Sequence, residues 1–161
     1  MGASGWDYLV PFDTDVATTL AVLHDELFRA EYADDYATLE ELWADEEFMG
    51  EAGTHTLLDT YRLLTTTAQP VPLHGEDYNT LRPLAPERVL HHFGTERPSL
   101  LQYQEQREAD RRADEHRTYP PVADTPVTLD DEATMRWAGL YLLLYENDRP
   151  AHVAFWGSSG D

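Results

Sequence analysis

The sequence predicts an α+β fold, and three parts of the chain carry this prediction. Residues 135–145 and 150–156 are the most apolar segments and flank the polar residues 146–149, a pattern typical of a β-hairpin. Residues 14–30 have the apolar periodicity of an amphipathic helix, and residues 99–117 form a long charged segment typical of a surface helix. We therefore expect a small, mainly antiparallel sheet with a C-terminal β-hairpin, helices on one face and a peripheral charged helix.

The N-terminal part opens with a short strand. Trp6–Phe12 is rich in aromatic and apolar residues, and Pro11 favours extended backbone before it. Asp13 or Thr14 can then cap the helix predicted over residues 14–30. One apolar stripe runs along this helix, at Val16, Leu20, Leu23 and Leu27.

A second helix and another strand follow. Thr38 and Glu41 have the spacing of a capping box, so Thr38 begins a helix that ends at Gly50 or Gly53. The stretch Gly53–Tyr61 alternates loosely and is rich in Thr, which predicts a strand.

The second half of the chain contains more loop. Residues 65–86 are punctuated by prolines and predict irregular structure, whereas Pro86–Phe93 predicts a short helix capped by Gly94. A loop over residues 119–134 precedes the hairpin. Both sets of alternating residues in residues 140–145 are apolar, so either both sheet faces are covered or one face belongs to an interface.

Length and composition exclude several classes of protein. At 161 residues the chain fits a single domain spanning residues 1–161, and the absence of Cys excludes disulfides and thiolate chemistry. The N-terminus has no targeting pattern, and the longest apolar run, Leu140–Tyr145, is far shorter than the roughly 20 residues that span a bilayer. We therefore expect a cytoplasmic protein that does not bind membranes.

Charge is the strongest compositional signal. The chain has 31 acidic and 11 basic residues, all of the basic ones Arg, for a formal net charge of −20. Such a field repels nucleic acid and attracts basic partners, so direct nucleic-acid binding is not expected. The alternative explanation is that the acidity only maintains solubility or reflects a salt-adapted host.

No motif predicts catalysis, a cofactor or a metal. The seven His residues show neither paired helical spacing nor a zinc motif, and nucleophile and phosphate-binding patterns are absent. On a strand, His55 and Asp59 would lie about 13 Å apart, too far for a direct hydrogen bond. His55 still offers a candidate general base if it lies near a pocket.

Acidic residues cluster between Asp25 and Glu51, opposed only by Arg29 and interleaved with aromatic residues. Acidic residues steer association with a basic protein, and aromatic residues supply contact area. The predicted partner-binding residues are Asp34, Asp35, Tyr36, Glu40, Glu41, Asp45 and Glu47. The alternative is a solvated helical face whose aromatic side chains point inwards.

Four patches resemble a group of small acidic proteins from high-GC actinobacteria. They are residues 5–8 (GWDY), 53–59 (GTHTLLD), 93–98 (FGTERP) and the closing hairpin over residues 140–157. The resemblance implies no activity and brings no catalytic residue to this chain.

Three functions are compatible with these observations. The first is a non-enzymatic acidic binding module, such as an immunity protein or inhibitor that neutralises a basic toxin or nuclease. The second is a small enzyme or accessory protein of a biosynthetic pathway that uses His55, and the third is a nucleic-acid mimic with carboxylates spaced like phosphates. A homodimer through the sheet is a further expectation.

Overall fold

The computed structural model describes residues 4–118, 120, 122 and 127–160. Within these residues, five strands form one mixed sheet in the spatial order β1-β5-β4-β3-β2. The strands are β1 (Gly5–Pro11), β2 (Arg62–Leu63), β3 (Thr80–Pro83), β4 (Ala138–Glu146) and β5 (Arg149–Ser158). The long strands β1 and β4 are antiparallel to β5, and the short strands β3 and β2 add in parallel at the other edge.

The predicted C-terminal hairpin is confirmed, and it lies in the middle of the sheet. Asn147 and Asp148 connect β4 to β5, with φ angles of 50° and 60°. Two consecutive positive φ angles are required by the turn type that matches the twist of a hairpin, and Asn and Asp tolerate them best after Gly. In the strand order, β5 lies between β1 and β4, and β4 lies between β5 and β3, so neither strand of the hairpin is a sheet edge.

The prediction of a strand over Gly53–Tyr61 is wrong. This segment forms a 3₁₀ turn at Leu57–Asp59 with irregular backbone before it, and the strand that follows, β2, has two residues. The side chain of Thr56 accepts a hydrogen bond from the backbone N–H of Leu58 at 3.2 Å. Such local side-chain bonds offer the backbone an alternative to a strand ladder, which explains why a Thr-rich alternating stretch does not pair.

Six helices are present in the described residues. They are α1 (Val16–Glu31), α2 (Leu39–Ala44), α3 (Glu46–Glu51), α4 (Pro86–Phe93), α5 (Leu100–Glu115) and α6 (Leu129–Glu132). The first predicted helix is confirmed as α1. The second begins after its predicted cap Thr38 but is divided into α2 and α3, because the carboxylate of Asp45 accepts the N–H of Phe48 and starts a new helix. The short helix α6 lies in a region predicted as loop.

The helices cover both faces of the sheet, so the expectation of helices on one face is corrected. Apolar residues of α1 pack against one face of the sheet, where they form a cluster with Phe155 of β5. Helices α2 and α3 pack against α1 around the fully buried Leu42. On the other face, α4, α5 and α6 pack against Leu140, Leu142 and Trp156. Of the two alternatives that the apolar alternation in β4 left open, the structure shows coverage of both faces.

The α+β class is confirmed, and the charged helix is α5. It is anchored to the second face by the buried Tyr103, whereas most of its remaining side chains are exposed. Its first turn is closed by a capping box between Ser99 and Gln102. The helix is attached at a second point by the buried Asp110, whose carboxylate accepts the backbone N–H of Leu129 at 3.0 Å.

Candidate functional site

The fold concentrates acidic residues in one layer of the molecule. Residues 13–51 comprise α1, α2, α3 and their connections, and we refer to them as the acidic layer. They contain thirteen Asp and Glu residues and one Arg, Arg29. Twelve of the thirteen acidic side chains are exposed, and only Asp45 is half-buried. The sequence cluster is therefore also a cluster in space, on one side of the sheet.

Arginine is distributed differently on the opposite layer, formed by α4, α5 and α6. Each of the four Arg residues on α4 and α5 pairs with a carboxylate; Arg88 contacts Glu132 and Arg107 contacts both Asp7 and Asp130. The guanidinium of Arg117, just beyond α5, donates to Asp131 and lowers the pKa of that carboxyl to about 2. The arginine charges of this layer are thus paired within the molecule, and α4, α5 and α6 together carry nine acidic against four basic residues.

Four of the predicted partner-binding residues face solvent, and their carboxylates make no hydrogen bond or ion pair with the described residues. These four, which we call the free acids, are Asp34, Asp35, Glu40 and Glu47. Asp34 and Asp35 lie in the turn between α1 and α2, Glu40 lies on α2 and Glu47 on α3. They are available for contact with a partner.

The other three predicted residues have structural roles. The carboxylate of Glu41 accepts the backbone N–H of Ala37 at 3.0 Å, and this bond completes the start of α2. The hydroxyl of Tyr36 donates to Asp45 at 2.8 Å, which raises the pKa of Tyr36. The carboxylate of Asp45 accepts hydrogen bonds from the N–H of Phe48 and from the Tyr36 hydroxyl. Both bonds lower the pKa of Asp45, and the bond from Phe48 has the larger effect. These contacts stabilise the layer.

A cleft of about 620 Å³ lies between α1 and α2. The rings of His24, Phe28 and Trp43 form part of its wall, and Asp25 and Glu40 contribute carboxylates. The ring of Trp43 is held in place because its Nε1–H donates to the carbonyl of Leu58 at 2.9 Å. It also lies edge-on to His24, with 5.4 Å between the ring centroids. The cleft therefore combines fixed aromatic surface with acidic groups.

His24 is an uncharged part of this wall. It is 4% exposed, and its Nε2 lies 3.1 Å from the carbonyl oxygen of Thr60, so Nε2 carries the proton and donates. Burial lowers the pKa of His24 to about 4. Its ring therefore adds no positive charge to the cleft at neutral pH.

The side chain of His55 is exposed, and it lines neither the cleft between α1 and α2 nor any of four further clefts on the described surface. Its backbone has a φ angle of 56°, and its N–H donates to the carboxylate of Asp59 at 3.1 Å. Because the segment is not a strand, the two residues are much closer than the sequence predicts.

Asp59 is a buried carboxylate that accepts four hydrogen bonds. It is fully buried and accepts from the backbone N–H of Thr54 at 2.6 Å and from its hydroxyl at 2.8 Å. The hydroxyl of Ser159, beyond the end of β5, donates to it at 2.6 Å. The side chain of Asn79 donates to the carbonyl of Asp59, which attaches the start of β3 as well. Asp59 therefore joins the segment after α3 to two strands of the sheet.

The described residues contain no group of three or more His, Asp or Glu side chains that could hold a metal ion. The adjacent His91 and His92 have rings at 84° to each other, and His92 is bonded to Glu132 at 2.7 Å. No helix in the part of the chain that the structure describes has the length and apolar character needed to cross a bilayer.

Comparison of the chain with protein-family models, with curated proteins and with solved structures found no match. The candidate site therefore depends on the geometry and charge of this molecule alone. The sequence predicted the acidic cluster but not the cleft or the hydrogen bonds around Asp59. The spacing of Thr54, Thr56 and Asp59 was the available signal for those hydrogen bonds, since Thr and Asp side chains bond to nearby backbone N–H groups.

Replacing Asp59 with Asn tests whether this carboxylate joins the segment after α3 to the sheet. The amide can present only one oxygen, so its NH₂ group would face the N–H of His55 or of Thr54. We expect the free energy of unfolding to fall by about 2–4 kcal/mol, measured by urea denaturation. Ser159→Ala removes a single donor and should cost about 1–2 kcal/mol. An Asn variant as stable as the wild type would rule out this role.

The pKa of His24 predicts a pH dependence of stability. Burial depresses the pKa of the folded state from 6.5 to about 4, so between these values the unfolded chain binds a proton that the folded chain does not. The free energy of unfolding should therefore fall as pH decreases from 6.5 to 4, by on the order of 3 kcal/mol. The control is the pH profile of His24→Gln, whose side chain retains a hydrogen-bond donor but does not titrate. Parallel pH profiles for the two proteins would contradict the assignment.

Proposed function

We propose that this protein is a non-enzymatic binding module whose acidic layer engages a basic protein partner. The observation that carries the proposal is the segregation of charge in the fold. The acidic layer presents twelve exposed carboxylates against a single Arg, whereas all four Arg residues of α4 and α5 are paired. A uniform need for solubility does not require 13 of the 31 acidic residues to lie within the 39 residues of one layer.

The position of the free acids adds support. Asp34, Asp35, Glu40 and Glu47 are held at the surface by helices and their connecting turn, and those helices are attached to the sheet through a buried core. Because the backbone that carries these acids is already ordered, less conformational entropy is lost on binding than for acids on a disordered segment, and more of the electrostatic attraction remains as affinity. We propose an inhibitor or immunity protein that occupies the basic surface of a toxin or nuclease and acts in the cytoplasm.

Electrostatic steering gives this function a measurable signature. Complementary charge raises association rates from about 10⁵–10⁶ M⁻¹s⁻¹ towards 10⁸–10⁹ M⁻¹s⁻¹ at low salt. The effect is screened as the Debye length shrinks from about 30 Å at 0.01 M to about 10 Å at 0.1 M ionic strength. The association rate constant should therefore fall steeply with added salt, while the dissociation rate constant changes less.

The test compares two variants that change net charge equally. The first neutralises the free acids, as Asp34→Asn, Asp35→Asn, Glu40→Gln and Glu47→Gln. The matched control neutralises four exposed acidic residues outside the acidic layer, as Glu87→Gln, Glu96→Gln, Glu105→Gln and Glu115→Gln. Both variants and the wild type serve as bait for affinity capture from the host lysate, followed by binding kinetics with the captured protein.

We expect a basic protein to be captured by the wild type and by the control, with the first variant binding it at least about tenfold more slowly. An equal loss of binding in the two variants would show that only net charge matters. An association rate that is insensitive to salt would also contradict the proposal.

A further inference from the structure

The cleft between α1 and α2 has the composition of a site for a planar cation. Its lining combines the aromatic rings of Phe28 and Trp43 with the carboxylates of Asp25 and Glu40, at a volume of about 620 Å³. Pockets that bury a ligand group are commonly about 300–1,000 Å³. An apolar occupant would not use the carboxylates, and an anion would be repelled by them, so the charge of the cleft favours a cation.

The aromatic wall is fixed before any ligand arrives. Trp43 lies between two other rings, with centroid distances of 5.4 Å to His24 and 5.1 Å to Tyr61. Its Nε1–H is bonded to Leu58, so the indole cannot rotate without losing that bond. Since His24 is uncharged at neutral pH, it does not repel a cation next to Trp43. The arrangement presents an oriented indole within an acidic surface.

We infer that this cleft receives an arginine side chain of the basic partner, which would lie against Trp43 and pair with the carboxylates of Asp25 and Glu40. This inference rests on the proposed function, since it names the group through which the partner is anchored. Arginine fits better than lysine because its planar guanidinium both stacks on aromatic rings and donates to carboxylates as a fork.

The chain supplies its own competitor for the site. Arg29 also lines the cleft, and its guanidinium contacts Asp25 at 3.0 Å. The side chains of Arg29 and Asp25 are 74% and 52% exposed, so the pair is a weak surface ion pair that an incoming guanidinium can displace. Arg29→Gln should therefore strengthen binding, whereas Arg111→Gln on α5 changes the net charge equally but leaves the cleft unaltered.

The probe is a capped oligo-arginine peptide, with an oligo-lysine peptide of the same length for comparison. Binding is followed by the indole N–H resonances of the four Trp residues in ¹H–¹⁵N spectra. We expect the Trp43 resonance to shift on titration while that of the buried Trp156 does not, and the arginine peptide to bind about three- to fivefold more tightly.

Surface variants avoid any dependence on whether a Trp43 variant folds. Glu40→Gln should weaken binding of the arginine peptide about threefold relative to Glu47→Gln, because both residues are exposed free acids and only Glu40 lines the cleft. Salt-sensitive binding in which Trp43 does not shift and the two Glu variants behave alike would overturn the cleft as the anchor site while leaving the proposed function intact. Absence of peptide binding to any part of the acidic layer would count against both.

Discussion

The buried carboxylate of Asp59 is the contact on which the arrangement of the molecule depends. It accepts from groups that precede the 3₁₀ turn and from a group that follows β5, so it joins the segment after α3 to the sheet. A buried charge is stable only if its lone pairs are satisfied, and four donors surround this one. One of these donors, the N–H of His55, belongs to a residue with a φ angle of 56°.

Gly53 shows how tightly this region is packed. Its φ angle is 67°, and a Cβ at this position would lie 2.5 Å from the ring of Trp137 and 2.9 Å from a carboxylate oxygen of Asp59. Only Gly fits both the backbone conformation and the space. The hydrogen bonds of Asp59 offset the local strain and join the segment after α3 to the end of β5.

Structural roles explain some of the acidic residues but not all of them. Asp15 and Asp45 cap helices, and Glu41 bonds back to the chain before α2. The free acids Glu40 and Glu47 lie in the first turns of α2 and α3, so they also interact favourably with a helix dipole. Asp34 and Asp35 lie outside the helices and bond to no described side chain. Crowding of like charges opposes folding, so acidic residues without a local role are those for which a partner is the better explanation.

The features predicted from the sequence are those set by short-range pattern. The hairpin, α1, the Thr38 cap and the acidic cluster follow from alternation, helical periodicity and capping spacing, and the structure has each of them. The failures have two physical origins. The strand predicted over Gly53–Tyr61 is replaced by local hydrogen bonds from backbone N–H groups to the side chains of Thr54, Thr56 and Asp59. The cleft was missed because it forms only when α2 packs beside α1, a contact that short-range pattern does not reveal.

Hydrogen–deuterium exchange of the captured complex tests the central claim most directly, since it locates the interface without any substitution. Binding of the partner should slow amide exchange in residues 25–51, with the largest change at the turn between α1 and α2 and along α2. Exchange in α5 and at the hairpin turn should be unchanged. Protection confined to α4, α5 or the hairpin, with the acidic layer unaffected, would rule out the acidic layer as the interface.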